Sequence, residues 1–112
     1  MCGIAGLLSK KPVSDALLQR MATSLVHRGP DDQGYWSEAE AGIGLAHRRL
    51  SIVDLSPHGH QPMASQSGRF MLCYNGEIYN HAALRAELDQ HVGGIAWRGH
   101  SDTETLVESI AA

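Results

Sequence analysis

The chain has 112 residues, of which 43% are hydrophobic and 19% charged, with a formal net charge of −3 and two cysteines. This composition is typical of one folded domain and argues against a disordered tail or a basic nucleic-acid-binding surface. No stretch approaches the roughly 20 apolar residues of a membrane-spanning helix, and no secretory signal is apparent. We therefore expect a cytoplasmic protein that binds neither nucleic acid nor membrane.

The first half of the chain predicts a strand, a helix and a hairpin. The opening "CGIAGLLS" has the small and aliphatic residues of a buried strand. After Ser14, a suitable N-cap, apolar residues recur at helical spacing as far as Val26, and the helix must end before Gly29 and Pro30. "GYWS" and "GIGLAHRRLSIV" are typical of two short strands, and the turn between them predicts a β-hairpin.

The second half predicts shorter elements. "RFMLCYNGEIYN" indicates a strand that turns at Asn75 and Gly76, because Asn-Gly is the strongest short hairpin signal. "HAALRAEL" predicts a helix after Asn80, and "GIAWRG" predicts a further short strand. Ser101 and Glu104 have capping-box spacing, which predicts a helix that begins there. Antiparallel hairpins interspersed with helices indicate an α+β fold rather than a parallel sheet.

Cys2 is the first candidate for chemistry. Removal of Met1 would place its thiol and a free α-amine on the same residue, and an amine with a pKa near 8 can accept the thiol proton. An adjacent amine base is a recognised way to activate a nucleophile. From position alone, a small buried cysteine at the start of a strand fits equally well.

Four further residues could serve a reaction on an amide. Asn75 and Gly76 could present a side-chain amide and a backbone N–H to an oxyanion, although a plain hairpin turn is the simpler interpretation. Arg49 could bind a carboxylate, and Asp102 an ammonium group, as an amino-acid substrate requires. Strand alternation lets only one of Arg48 and Arg49 face a pocket. A surface arginine and a first-turn helix acid are the alternatives.

Two other features give weaker indications of function. His58 and His60 form a "HGH" pair without further ligands at zinc spacing, so we expect no metal site. Cys73 precedes Asn75 by two residues and shares its face by strand alternation, but we interpret it as a core residue. The sequence leaves open whether Cys73 has a further role.

Six motifs in order carry a resemblance to a known family. They are "MCGIAG", "HRGPDDQG", "HRRLSIVDLS", "QPM", "YNGEIYN" and "SDTE". Together they resemble the N-terminal glutaminase domain of class II glutamine amidotransferases, and "RGPDDQG" and "RLSIVDLS" are most similar to the glutamine-hydrolysing asparagine synthetases. The resemblance covers the chain from Cys2 to about its end.

The resemblance implies a fold and a set of catalytic residues. The fold is of the N-terminal-nucleophile hydrolase type, with stacked antiparallel sheets flanked by helices (αββα), here incomplete because family members continue with further strands. Cys2 would be the nucleophile, with its own α-amine as general base, and Asn75 and Gly76 would form the oxyanion hole. If Met1 is retained, the amine is locked in a peptide bond and we expect no hydrolysis.

The resemblance also implies how a substrate is bound. Arg49 would hold the glutamine carboxylate, with the backbone of Ile52 and Val53 shaping that side. Glu77 would help to bind the substrate amine, and Asp102 would pair with its ammonium group.

The implied reaction converts L-glutamine and water to L-glutamate and ammonia through a γ-glutamyl thioester on Cys2. Residues 1–112 would be a partial glutaminase domain, the synthetase domain being absent. This domain needs no cofactor, whereas ATP and Mg²⁺ would serve the synthetase domain, its partner in the full-length enzyme. Uncovered strand edges and apolar faces lead us to expect a homo-oligomer.

Two other functions stay open. Another class II amidotransferase would deliver the ammonia to a different acceptor, such as a sugar phosphate. A non-catalytic module would bind an amino acid or a protein without turnover. Binding of glutamine without glutamate release would distinguish the module from the enzyme.

Overall fold

The structure is a computed structural model that describes residues 2–50 and 57–112. Two antiparallel sheets and three α-helices make up these residues, which confirms the predicted α+β class. The strands are β1 (Gly3–Leu8), β2 (Asp32–Glu38), β3 (Ile43–Arg49), β4 (Met63–Ala64) and β5 (Met71–Leu72), and the helices are α1 (Asp15–Thr23), α2 (His81–His91) and α3 (Asp102–Ala111).

The larger sheet has the order β1-β3-β2, with both pairs antiparallel. β2 and β3 form the predicted hairpin. Its turn needs glycine at position 42, where φ is +71° and where the carbonyl accepts the N–H of Ser9 at 2.6 Å. The register places Gly3 opposite Arg48 and Asp32 opposite Arg49. The end of β3 therefore lies beside the start of β1, directly after Cys2.

One face of this sheet is covered by α1. Ser14 caps the helix as predicted, and its Oγ accepts the N–H of Leu17 at 3.2 Å. Leu18 is fully buried over Gly44, where an added Cβ would lie 2.7 Å from the leucine side chain. Arg48 lies on this face, with its guanidinium donating to the Gly29 carbonyl at 2.8 Å. Arg49 therefore points to the opposite face, as strand alternation predicts.

The opposite face, which carries Arg49 and His47, is only partly covered. The loop before β4 crosses it at Gly34, where an added Cβ would overlap the carbonyl of Gln61. Farther along the same face, Ile4 is 42% exposed and Leu8 is 80% exposed. On this face β1 is therefore exposed along its length, whereas the end of β3 at His47 and Arg49 is buried.

The helix predictions hold with one correction. α2 and α3 form where expected, and Ser101 Oγ accepts the N–H of Glu104 at 3.2 Å. α1, predicted to reach Val26, ends at Thr23. Beyond Thr23 the chain continues in tight turns, in which the N–H of Val26 bonds to the Thr23 carbonyl three residues earlier.

One hairpin prediction and one strand prediction are wrong. Asn75 and Gly76 form no hairpin, because β5 pairs with the preceding β4 across a turn that contains Gly68 at φ +75°. "GIAWRG" is not a strand, because side chains take the place of a neighbouring strand. Gln66 Oε1 accepts the N–H of Ala96 at 3.2 Å, and Glu104 Oε2 accepts that of Arg98 at 2.7 Å.

The helices of the described chain are short. α2, at 11 residues, falls well below the roughly 20 residues that a bilayer requires. Within residues 2–50 and 57–112, every helix is too short or too polar to span a membrane.

Candidate functional site

Cys2 lies where the start of β1 meets the end of β3. Its Sγ accepts the backbone N–H of Leu50 at 3.4 Å and lies 3.8 Å from the Leu50 carbonyl oxygen. The side chain is half-buried and free of any disulfide. The predicted nucleophile is therefore a thiol held against the residue that follows Arg49.

The segment containing Asn75 and Gly76 reaches Cys2 directly. Asn75 Nδ2 donates to the Cys2 carbonyl at 3.0 Å, across 73 positions of sequence. Gly76 follows on the exposed part of the segment, close to the Tyr74 ring, where an added Cβ would lie 2.6 Å from Oη. Of the two predicted oxyanion donors, Asn75 thus contacts the residue of the predicted nucleophile and Gly76 follows it in the chain, although neither belongs to the hairpin that the Asn-Gly pair suggested.

Arg49 is buried at the end of β3. Its guanidinium lies against Gly59, where an added Cβ would overlap it, and its carbonyl accepts the N–H of Asp31 at 3.0 Å. The sulfur of Cys2 contacts the next residue, Leu50. Arg49 is therefore near the nucleophile, on the sheet face opposite α1.

Asp102 is buried at the first position of α3. Its Oδ2 accepts the N–H of Ile78 at 2.8 Å, which ties it to the same segment as Asn75. A carboxylate has about four lone-pair sites, so this contact leaves capacity for a ligand. Glu77, beside Ile78, is exposed. The predicted residues Ile52 and Val53 lie outside the described residues.

The motif letters alone did not single out Arg28 and Gln61, which the structure adds to the site. Arg28 Nε donates to the Cys2 carbonyl at 3.1 Å, so Arg28 and Asn75 share that acceptor. Gln61 is buried, with its Oε1 accepting the N–H of Tyr74 at 2.6 Å. Arg28 lies in "HRGPDDQG" and Gln61 in "QPM", two motifs of the family resemblance, which is the sequence signal that could have identified them.

Two predictions about other side chains can be followed in the structure. Burial raises the pKa of the Cys73 thiol to about 11, so this residue stays protonated and fits its interpretation as a core residue. His60 Nδ1 is hydrogen-bonded to Asp32 Oδ2 at 2.6 Å. In the described part of the chain, no cluster of three His, Cys, Asp or Glu side chains is arranged to hold a metal ion.

His47 is a buried histidine on the same sheet face as Arg49. It is 1% exposed, and its Nε2 has no hydrogen-bond partner among the described residues. Burial lowers its pKa from 6.5 to about 4, against the opposing effects of a hydrogen bond with the Tyr74 backbone and the charge of Asp32. The imidazole is therefore neutral in the folded protein at neutral pH.

The buried His47 predicts a loss of stability on acidification. Between pH 6.5 and about 4, the unfolded chain takes up a proton at His47 that the folded chain does not, so the free energy of unfolding falls as pH falls. Relative to a His47→Leu variant, we expect the wild type to lose on the order of 2–3 kcal/mol between pH 7 and 4.5. Urea unfolding at both pH values measures the difference.

The exposed His27 provides the matched control. A His27→Leu variant should keep the pH dependence of the wild type, because this side chain is exposed and has no part in the burial of His47. Parallel pH profiles for wild type and His47→Leu would contradict the prediction.

Comparison with known proteins agrees with this geometry. The family of glutamine amidotransferase domains matches residues 1–112. The chain is 38% identical over 112 residues to "Asparagine synthetase [glutamine-hydrolyzing] 1" of Bacillus subtilis, covering 96% of this chain and 17% of that protein. It is 47% identical over 92 residues to "Asparagine synthetase B [glutamine-hydrolyzing]" of Escherichia coli, covering 78% of this chain and 16% of that protein.

A third relative has a different name. "Amidase chry2" of Gibberella zeae is 37% identical over 119 residues, covering 96% of this chain and 17% of the relative. The chain thus spans about a sixth of the length of these curated relatives. Because the family model matches the whole chain, the chain belongs to the family of glutamine amidotransferase domains.

Proposed function

We propose that this chain hydrolyses L-glutamine to L-glutamate and ammonia, with Cys2 as the nucleophile. The observation that carries the proposal is the convergence on Cys2. Its sulfur contacts the Leu50 N–H, and its carbonyl accepts hydrogen bonds from Asn75 and Arg28. Family membership supports glutamine as the substrate.

The first half of the reaction forms a thioester. After removal of Met1, the free α-amine of Cys2 takes the thiol proton, and Sγ attacks the carbonyl carbon (Cδ) of the glutamine side-chain amide. The carbonyl oxygen becomes an oxyanion, which the Asn75 side-chain amide and the Gly76 N–H stabilise. The C–N bond then breaks, and the α-ammonium returns its proton to the departing nitrogen. Ammonia leaves, and the γ-glutamyl thioester remains.

The second half regenerates the enzyme. The α-amine takes a proton from water, and the resulting hydroxide attacks the thioester carbonyl. The same two donors hold the second oxyanion, which collapses with loss of the thiolate. The thiolate recovers the proton from the α-ammonium, and glutamate departs. Glutamine and water are consumed, and glutamate and ammonia are formed.

Charged groups would orient the substrate. Arg49 would offer a bidentate fork to the α-carboxylate. Asp102 binds the α-ammonium group with the capacity left by its contact to Ile78, and Glu77 assists. This arrangement would place the γ-amide, and not the α-carboxylate, over the thiol.

The fate of the ammonia depends on the rest of a longer protein. The names of the Bacillus and Escherichia relatives support an asparagine-synthetase-like enzyme, in which aspartate is activated with ATP and Mg²⁺ in a separate synthetase domain. Those ligands would belong to that domain. The amidase name of the Gibberella relative supports a second candidate, the same glutaminase chemistry with another acceptor.

The proposal is tested by intact mass and by labelling with the glutamine analogue 6-diazo-5-oxo-norleucine. A chain that has lost Met1 should gain one label, on Cys2, and should release glutamate from glutamine. A chain that retains Met1 should gain none. Absence of label and of glutamate release from the Met1-free chain, in the length in which it is naturally made, would contradict the proposal.

A further inference from the structure

Gln61 forms a buried bridge between two parts of the site. Its side chain belongs to a residue that is 6% exposed, and both ends of the carboxamide are bonded. Oε1 accepts the N–H of Tyr74 at 2.6 Å, and Nε2 donates to Thr103 Oγ1 at 3.2 Å. Tyr74 immediately precedes Asn75, and Thr103 immediately follows Asp102. One amide therefore connects the oxyanion side of the site to the ammonium side.

The segment 74–78 depends on such anchors. β5 ends at Leu72, so among residues 2–50 and 57–112 the segment pairs with no strand, and the three residues 75–77 are exposed. Its N–H groups are fixed at both ends, that of Tyr74 by Gln61 and that of Ile78 by Asp102 at 2.8 Å. Together with the bonds of Asn75 to the Cys2 carbonyl and of His47 to the Tyr74 backbone, these two anchors hold the exposed residues 75–77 in place.

The two anchors differ in what they fix. Asp102 sits on α3, which has its own N-cap in Ser101 and is buried over its first turns. Loss of Gln61 would leave Asp102 in place and take away the acceptor of the Tyr74 N–H, so the Tyr74 end of the segment would be held less firmly. The oxyanion donors would move, whereas the groups that bind the substrate's charged ends would not.

We propose that Gln61 is a positioning residue of the glutaminase reaction, which holds the Asn75 and Gly76 donors in register with Asp102. The inference rests on the proposed function. It assigns Gln61 an effect on the rate of the chemical step and not on the affinity for glutamine, because it acts on donors that stabilise the transition state.

The test compares three substitutions in the Met1-free protein. Gln61→Met keeps the size and removes both hydrogen bonds, and we expect kcat to fall about 10- to 100-fold with KM within about threefold of wild type. Gln61→Glu retains an acceptor for the Tyr74 N–H, and the Thr103 hydroxyl can turn to donate to it, so kcat should recover to within about fivefold. Gln90→Met, on the exposed surface of α2, is the matched control and should leave both constants unchanged.

Two measurements separate positioning from a general loss of structure. Calorimetric titration of glutamine into Cys2→Ala and into Cys2→Ala/Gln61→Met should give equal affinities. If Gln61→Met does not fold, Thr103→Val replaces it, with kcat expected to fall at least about threefold because the bridge loses one end.

The outcomes distinguish this inference from the proposed function. A wild type that releases no glutamate overturns both. An active wild type with unchanged kcat in Gln61→Met, or with a loss confined to KM, overturns the role of Gln61 and leaves the glutaminase proposal standing. Failure of Gln61→Glu to exceed Gln61→Met also counts against it.

Discussion

Glutamate release by the Met1-free protein is expected to fall at least about 1,000-fold in Cys2→Ser and Cys2→Ala, because each removes the atom that forms the thioester. Cys2→Ser is the more specific test of the two. It keeps the α-amine, an acceptor near the Leu50 N–H and the carbonyl that binds Asn75 and Arg28. Coupled detection of glutamate under saturating glutamine measures the loss.

Cys73 offers the matched control for this prediction. It is the second thiol of the chain, and burial raises its pKa to about 11, so it is not a thiolate at neutral pH. Cys73→Ser should therefore keep most of the activity and still accept the diazo label at Cys2. Activity that survives in Cys2→Ser but disappears in Cys73→Ser would contradict the prediction, because it would identify Cys73 and not Cys2 as the nucleophile.

The same experiment addresses the non-catalytic alternative. Calorimetry should show that Cys2→Ala still binds glutamine, because Arg49 and Asp102 are held by β3 and α3 and not by the sulfur. A wild type that binds glutamine with equal affinity and never releases glutamate would support a binding module instead. Binding and turnover are thus separated with one variant.

Local sequence signals predicted the elements that depend on short-range order. Ser14 and Ser101 cap helices where their positions indicated, since an N-cap needs only the next turn as its partner. The β2–β3 hairpin follows from alternation and a turn, and the same alternation correctly placed Arg48 and Arg49 on opposite faces. These features are determined by residues that are neighbours in the chain or that pair across a single turn.

Predictions failed where distant side chains replace local partners. The turn at Asn75 is held by Gln61 and Asp102, and the extended residues near Ala96 are held by Gln66 and Glu104. No local pattern reports such contacts. The candidate site residues were predicted from their chemistry and from the motifs of the family resemblance. Neither source indicates that Arg28 and Asn75 share the Cys2 carbonyl as acceptor.

The capping-box prediction at the start of α3 is right for one of its two hydrogen bonds and wrong for the other. Ser101 Oγ accepts the Glu104 N–H, as the spacing indicates. The carboxylate of Glu104 does not return to Ser101. It accepts the N–H groups of Arg98 and Gly99 at 2.7 and 3.0 Å, so it organises the loop that precedes the helix.

Glu104 is also the centre of a buried charge network. It is 1% exposed, with Arg98 Nε at 3.3 Å and an Arg85 nitrogen at 3.6 Å from its carboxylate. The guanidinium of Arg85 donates to the carbonyls of Gly99 and Ser101 at 2.7 and 2.9 Å. It also lies 4.1 Å over the Trp97 ring. Glu104 and Arg85 together connect α2, α3 and the loop between them.

We expect Glu104→Ala to lower the free energy of unfolding by about 3–5 kcal/mol, because Arg85 loses its opposite charge and two partly buried backbone N–H groups lose their acceptor. This is a large share of the roughly 5–15 kcal/mol of a typical domain. Urea unfolding followed by far-ultraviolet circular dichroism measures the change. Glu87→Ala, on the exposed surface of α2, is the matched control and should stay within about 0.5 kcal/mol of wild type.

A Glu104→Gln variant separates the charge from the shape. The amide retains one acceptor but turns an N–H₂ group toward the donors of residues 98 and 99, so its free energy of unfolding should fall between those of wild type and Glu104→Ala. Equal stabilities for Glu104→Ala and Glu87→Ala would show that the network contributes nothing. Because Asp102 occupies the first turn of the same helix, loss of the network should also raise the KM for glutamine, in contrast to the effect on kcat expected of Gln61→Met.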